Sequence, residues 1–209
     1  MNSVVETLFR IVVTKYLLLT FFHVIMRQLK RMLLLTGSPG IGKTTVVTRT
    51  VALIKTHGYI VHGIISKEKR VKGQREGFEL TDLATEARAT IASTRLRTGP
   101  RIGRYHVNLK DLANVGANAL LSAIENSDVI VCDEIGPMEI FSPEFKRAVR
   151  AVISSGKPLL GVVHWRLRDD LIDELKSSSE VELFEVSVEN RDDLPGTVAE
   201  KLISKLKGS

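Results

Sequence analysis

The chain of 209 residues holds a single cysteine, Cys132, so no internal disulfide can form and a reducing, cytoplasmic setting is expected. Between residues 26 and 209 there is no internal repeat, low-complexity tract or interdomain linker, which excludes a solenoid or a string of modules and leaves one domain over 26–209. Aromatic residues are scarce, at 5% of the chain. The two in its most basic stretch, Phe78 and Tyr105, are too separated for a platform that stacks nucleic-acid bases, so no obligate nucleic-acid partner is expected. The remaining composition, 44% hydrophobic and 26% charged, is ordinary for one globular core, and the net charge of +6 does not by itself choose a partner.

The first 25 residues stand apart as an extension. From Leu8 to Met26 the chain is mostly apolar, but Arg10, Lys15 and His23 interrupt it and make a membrane span costly at its centre. An early basic region and a small-residue cleavage site, both needed for a secretory signal, are lacking. Three readings stand: a stretch upstream of a true start at Met26 or Met32, a helix packed on the domain or a partner, and a membrane anchor, the last the least favoured.

What the chain does have is concentrated in two motifs. Gly37-Ser38-Pro39-Gly40-Ile41-Gly42-Lys43-Thr44 fits the spacing G-x-x-x-x-G-K-[ST] without mismatch, between the apolar run Met32–Leu35 and a helical stretch from Thr45 to Lys55. Glycines there let backbone N–H groups surround a phosphate at a helix N-terminus. Lys43 would reach the β- and γ-phosphates, and Thr44 would offer its hydroxyl to Mg²⁺. The second motif is Val129-Ile130-Val131-Cys132, a run suited to a strand buried on both faces, ending in Asp133-Glu134. Asp133 suits the metal, and Glu134 lies where it can deprotonate an attacking water, which favours hydrolysis over transfer to another acceptor. No base-reading signature of the GTPase kind is present, so selectivity would rest on stacking and shape.

Past the extension, short apolar runs alternate with amphipathic stretches. Strands are expected at 31–35, 59–65, 129–133, 159–164 and 181–186, and helices at 43–57, 110–126, 143–154, 168–177 and 192–206, the pattern of a parallel α/β sheet in a three-layer sandwich. Ser142-Pro143 and Asn190 are placed like helix starts, and Gly58 and Gly156 like helix ends. Between Ser66 and Arg104, ten basic residues stand against five acidic ones. A turn around Gln74-Arg75-Glu76 and an alternating stretch from Gly77 to Leu83 suggest a β-rich basic insertion, with Arg101 and Arg104 the best candidates to approach the triphosphate. His164, at a strand end, is either an ordinary polar residue or a γ-phosphate sensor; Trp165 packs or stacks on a base; Asn190 caps a helix or meets the base edge; Glu139 has no assigned role.

Together with Gly77–Ala84, Arg101-Ile102-Gly103-Arg104-Tyr105, Asp133-Glu134-Ile135-Gly136-Pro137-Met138-Glu139 and Asn190-Arg191-Asp192, the phosphate loop gives the chain a resemblance, over about 32–206, to the small nucleoside-triphosphatases of archaea, thermophilic bacteria and vertebrates. The acidic block is far more selective than the loop. The resemblance implies a RecA-like P-loop fold and Mg²⁺-dependent hydrolysis of ATP, GTP, CTP and UTP or TTP to diphosphate and phosphate. By the same match, residues 37–44 and 129–136 (Val129, Ile130, Val131, Cys132, Asp133, Glu134, Ile135 and Gly136) would contact the nucleotide; the motif chemistry and the basic insertion make Lys43, Glu134 and Arg101 the residues expected to act on it. The extension departs from the family, whose members begin just before the loop. Two alternatives are a nucleotide or small-molecule kinase, for which no acceptor-pocket motif is visible, and a nucleic-acid-linked ATPase module.

Overall fold

The computed structural model describes residues 30–207. The extension 1–25, with its three readings, lies outside the described residues. The strands are β1 (Met32–Thr36), β2 (Val61–Val71), β3 (Gln74–Asp82), β4 (Arg88–Ser93), β5 (Arg101–Ile102), β6 (Tyr105–Val107), β7 (Val129–Ile135), β8 (Leu159–Val163) and β9 (Val181–Glu185). They form one sheet in the order β5-β6-β4-β3-β2-β7-β8-β1-β9. The five strands β2, β7, β8, β1 and β9 are parallel, and β3 to β6 continue the sheet antiparallel from β2 as the expected β-rich insertion.

Alternation along the apolar strands builds two cores, one on each face. Met32 and Leu34 of β1 and Ile130 and Cys132 of β7 face α3 (Asn118–Asn126), α4 (Pro143–Ser154) and α5 (Asp170–Ser177). Leu33, Leu35, Val129 and Val131 face α1 (Lys43–Thr56) and α6 (Leu194–Lys207). This is the three-layer sandwich the alternation implied. Helix α4 shows why such stretches fold as helices: Phe145, Ala148, Val149 and Val152 make one buried stripe, and the Ser142 hydroxyl accepts from Phe145 N at 3.2 Å with Pro143 in the first turn.

Three expectations need correction. β2 does not stop at Ile65 but runs on to Val71, because its charged second half pairs with β3 and is stabilised by cross-strand partners such as Lys69 and Glu79 (2.6 Å). The turn is at Lys72-Gly73, both at positive φ, so Gln74-Arg75-Glu76 belong to a strand. The helix expected over 110–126 is interrupted: a short helix α2 (Leu109–Asp111) passes into a π-helical segment, Leu112–Ala117, before α3. Gly116 in that segment lies against Leu80 and Phe145, where an added Cβ would come within 3.2 Å of Leu80 Cδ2.

β2 and β7 meet closely at Gly63, opposite Val131, with φ of +116°. A Cβ at this position would overlap the Val131 carbonyl oxygen. Gly63→Ala is expected to destabilise the fold by about 3 kcal/mol or more, since it adds both a forbidden φ and a clash with backbone that cannot rotate away. Urea unfolding measures this, and an unchanged midpoint would contradict it.

Candidate active site

Between β1 and α1 the chain turns at Gly37, Gly40 and Gly42, with φ of +140°, +76° and +113°. Gly42 begins α1 with no side-chain cap, so the first-turn amides of α1 point into the loop without competition from a side chain. Lys43 follows at once, and its ammonium lies over the loop, donating to Gly37 O (3.0 Å) and Ser38 O (3.1 Å).

Strand β7 carries the acids to the same end of the sheet, with Asp133 level with Ile65 of β2 and with β8 between β7 and the loop strand β1. Asp133 is buried, and burial raises its carboxyl to about 7 despite the neighbouring Thr44 hydroxyl and the Lys43 ammonium, which pull it down. Its Oδ2 is buried without a hydrogen-bond partner. Glu134 is also raised by burial, with Lys43 opposing. After Ile135 the chain turns at Gly136, which fits between two carboxylates: an added Cβ there would lie 2.9 Å from Glu134 Oε1 and 3.1 Å from Glu139 Oε2.

Glu139, unassigned from the sequence, is thus a third acid of the site. It is buried, accepts from Gly136 N at 3.1 Å, and is pushed up to about 8, by burial first and by the Glu134 charge next. A carboxyl raised in the folded state favours folding when protonated. Its contribution is full below the ordinary value near 4.5 and is lost as pH rises through about 8. Glu139→Gln keeps an acceptor for Gly136 N and removes the titration. In EDTA the variant is therefore expected to lose less thermal stability than the parent between about pH 4 and about pH 9, which spans both values. Parallel melting profiles for the two proteins would contradict this.

A cleft of about 450 Å³ joins these parts. Of the residues expected at the nucleotide, Gly37, Pro39, Gly40, Gly42, Lys43, Thr44, Asp133 and Glu134 line it. Others do not. Ser38 presents only its carbonyl to Lys43, and Ile41 packs on the α1–α6 core. Val129, Ile130, Val131, Cys132 and Ile135 are at most 1% exposed, because a strand buried on both faces spends these side chains on the cores. Gly136 is backbone between carboxylates. The segment 129–136 therefore presents Asp133 and Glu134 to the cleft and otherwise supports them.

Arg101 and Arg104 also require correction. Arg101 is exposed on β5, where its Nε donates to Gly103 O at 2.8 Å, and it does not line the cleft. Arg104 donates to Tyr105 OH (3.1 Å) and Arg75 O (2.6 Å). The arginine at the cleft wall is Arg75, bound to Glu68 (2.6 Å) and Tyr105 OH (3.0 Å) and lying 5.3 Å from the Phe78 ring centroid. Within the basic stretch, Lys69, Arg70, Arg75 and Arg95 are paired with acids of the same stretch, while Lys67 lines the cleft beside Glu68. His164 does line the cleft; its Nδ1 accepts from Arg166 N (3.3 Å) and Leu167 N (3.0 Å), so the neutral ring carries its proton on Nε2. Trp165 packs under Arg166, 3.9 Å from its ring centroid. Asn190 caps no helix with its side chain, which bridges Ser187 N (2.9 Å) and Glu185 O (2.9 Å) in the loop after β9.

Comparison with known proteins places the chain in a family and its fold beside solved structures. A family model described as NTPase matches residues 32–199. Nucleoside-triphosphatase THEP1 of Methanosarcina barkeri is 46% identical over 167 residues, covering 79% of this chain and 94% of that protein. The solution structure of a human cancer-related nucleoside triphosphatase superposes with a TM-score of 0.71 at 31% identity, covering 83% of this chain and 97% of the other. THEP1 from the hyperthermophile Aquifex aeolicus gives a TM-score of 0.72 at 25% identity, over 82% and 98%. With the family model spanning most of its length and the same fold in both solved relatives, the chain belongs to the NTPase family, beside the THEP1 nucleoside-triphosphatases.

Proposed function

We propose that the chain hydrolyses nucleoside triphosphates, ATP, GTP, CTP and UTP or TTP alike, to diphosphate and phosphate with Mg²⁺. The observation that carries this reading is the single cleft in which Lys43 and Thr44 of the loop meet Asp133 and Glu134 of β7. Mg²⁺ keeps most of its waters and asks little of the protein, so one carboxylate and one hydroxyl suffice beside the phosphates. The unpartnered Asp133 Oδ2 and the adjacent Thr44 hydroxyl suit that demand. Among the described residues no group of three or more His, Cys, Asp and Glu is arranged to hold a metal, so the nucleotide and water would complete the coordination. When bound, the ion neutralises charge on the β- and γ-oxygens. Lys43 leaves its carbonyl partners for the same oxygens, Glu134 takes the proton of the attacking water, and His164 Nε2–H faces the γ-phosphate as a donor.

The sequence carries no base-reading signature of the GTPase kind, so several triphosphates should turn over. Phosphate release measured with ATP, GTP, CTP and UTP, with Mg²⁺ and in EDTA, tests this. A preference above about a thousandfold for one base, roughly 4 kcal/mol, would contradict it, as would undiminished turnover in EDTA. A cytoplasmic location is proposed on the reduced, buried Cys132. Among the described residues no helix is long and apolar enough to cross a membrane.

A further inference from the structure

Besides the phosphate loop and the acids, the cleft has a third kind of lining. Phe78 from β3, Ile91 from β4, Ile102 from β5 and Met138 from the turn after β7 give it an apolar patch, bordered by Lys67, Glu68 and Arg75. The direction of the bound nucleotide follows from strand order. The γ-phosphate must face Asp133 and Glu134 on β7, and β2 to β5 continue the sheet on the side away from β1 and β9. The apolar wall therefore lies past the γ-phosphate, on the side from which an acceptor approaches, and not where the nucleoside extends. Triphosphate, Mg²⁺ and water are all strongly hydrated and gain nothing from such a surface.

The wall is also built rigidly. Phe78 meets Tyr105 edge-on at 5.4 Å, and Arg75 is fixed against the Phe78 ring by Glu68 and Tyr105. One polar group in it is unsatisfied. Ser66 lines the cleft one residue past Ile65, which pairs with Asp133, and its Oγ is buried with no hydrogen-bond partner. Of the buried polar atoms without a partner, Ser66 Oγ and Asp133 Oδ2 belong to residues that line the cleft, so this hydroxyl is free to bond a polar group held there.

We propose that this wall is a second-substrate subsite: it takes a small molecule with an alkyl or aromatic body and a primary hydroxyl, and that hydroxyl competes with water for the γ-phosphoryl group. The proposal rests on the triphosphatase reading for the place of the γ-phosphate. The body lies on Phe78, Ile91, Ile102 and Met138, and Ser66 Oγ hydrogen-bonds the hydroxyl. In the transfer, the alcohol oxygen bonds to the γ-phosphorus while the bond from that phosphorus to the bridging oxygen breaks, its electron pair staying on the diphosphate. The hydroxyl proton goes to the Glu134 carboxylate and on to solvent, and the products are a phosphomonoester and a nucleoside diphosphate.

The test is a partition experiment with γ-labelled ATP and the full chain, using benzyl alcohol and 1-butanol as probes and glycerol as the polar control. The readout is the ratio of phosphomonoester to inorganic phosphate, which counts only molecules that turn over and so is not mimicked by partial unfolding. Benzyl and butyl phosphate are expected, with glycerol phosphate lower by about tenfold or more, and Phe78→Ala and Ser66→Ala should each lower the benzyl ratio by about tenfold. Inorganic phosphate alone from every mixture would overturn the subsite while leaving hydrolysis standing. Unchanged ratios in both variants would overturn it too, as would a raised KM for ATP in Phe78→Ala with an unchanged ratio, which would put the nucleobase on the wall. Absence of both products from the parent protein would overturn hydrolysis and the subsite together.

Discussion

Glutamine in place of Glu134 is expected to slow phosphate release by roughly a hundredfold or more while leaving nucleotide and Mg²⁺ bound. Glu134 faces the cleft beside Asp133, and in the proposed reading Asp133 and Thr44 would hold the metal without it. Glutamine preserves shape and a hydrogen-bonding oxygen and removes only the ability to accept a proton. Asp133→Asn should behave differently, because it deletes the charge next to the ion and weakens Mg²⁺-dependent binding as well as turnover. Single-turnover phosphate release, run beside nucleotide titrations with and without Mg²⁺, separates the two. A Glu134→Gln protein working at the parental rate would move the base elsewhere in the acid group, with Glu139 the nearest candidate.

Lys43→Ala should remove nearly all turnover. The ammonium is the one cation that the loop itself supplies, held above it by Gly37 O and Ser38 O until phosphate oxygens replace those carbonyls. Charge grows on the bridging oxygen as the bond to the γ-phosphorus breaks, so the loss falls more heavily on the transition state than on the bound substrate. The arginines of the insertion cannot compensate: Arg75 is already engaged by Glu68 and Tyr105, and Arg101 lies outside the cleft. Steady-state kinetics give the measure, and a loss under about tenfold, ~1.4 kcal/mol, would contradict the assignment.

What could be read from the sequence was what is locally encoded. The phosphate loop was legible because its chemistry needs glycine, lysine and threonine at fixed spacing beside a strand and a helix. Ser142-Pro143 was legible for the same reason, since a cap is a contact within four residues. The acid pair could be found from the apolar run before it. Arg75 could not be told from Arg101, because which arginine meets the cleft depends on the register of β2 against β3 and on the partners that register supplies, Glu68 and Tyr105. Glu139 was opaque for a related reason: its burial arises from the reversal at Gly136, which no periodicity announces. The extension of β2 to Val71 was missed because hydrophobic patterning ends where the strand leaves the core, although its pairing does not.

The position of β1 also constrains the order of events during synthesis. The strand that carries the phosphate loop is among the first described residues, yet its two neighbours are β8 and β9, more than a hundred positions later in the chain. Contacts at that separation form late and slowly. Val186 N, which donates to Thr36 O at 2.8 Å, anchors the very start of the loop. A nascent chain therefore has the whole nucleotide-binding motif in hand long before it has a platform to hold it, and the ability to grip a triphosphate is conferred by residues made more than a hundred positions later.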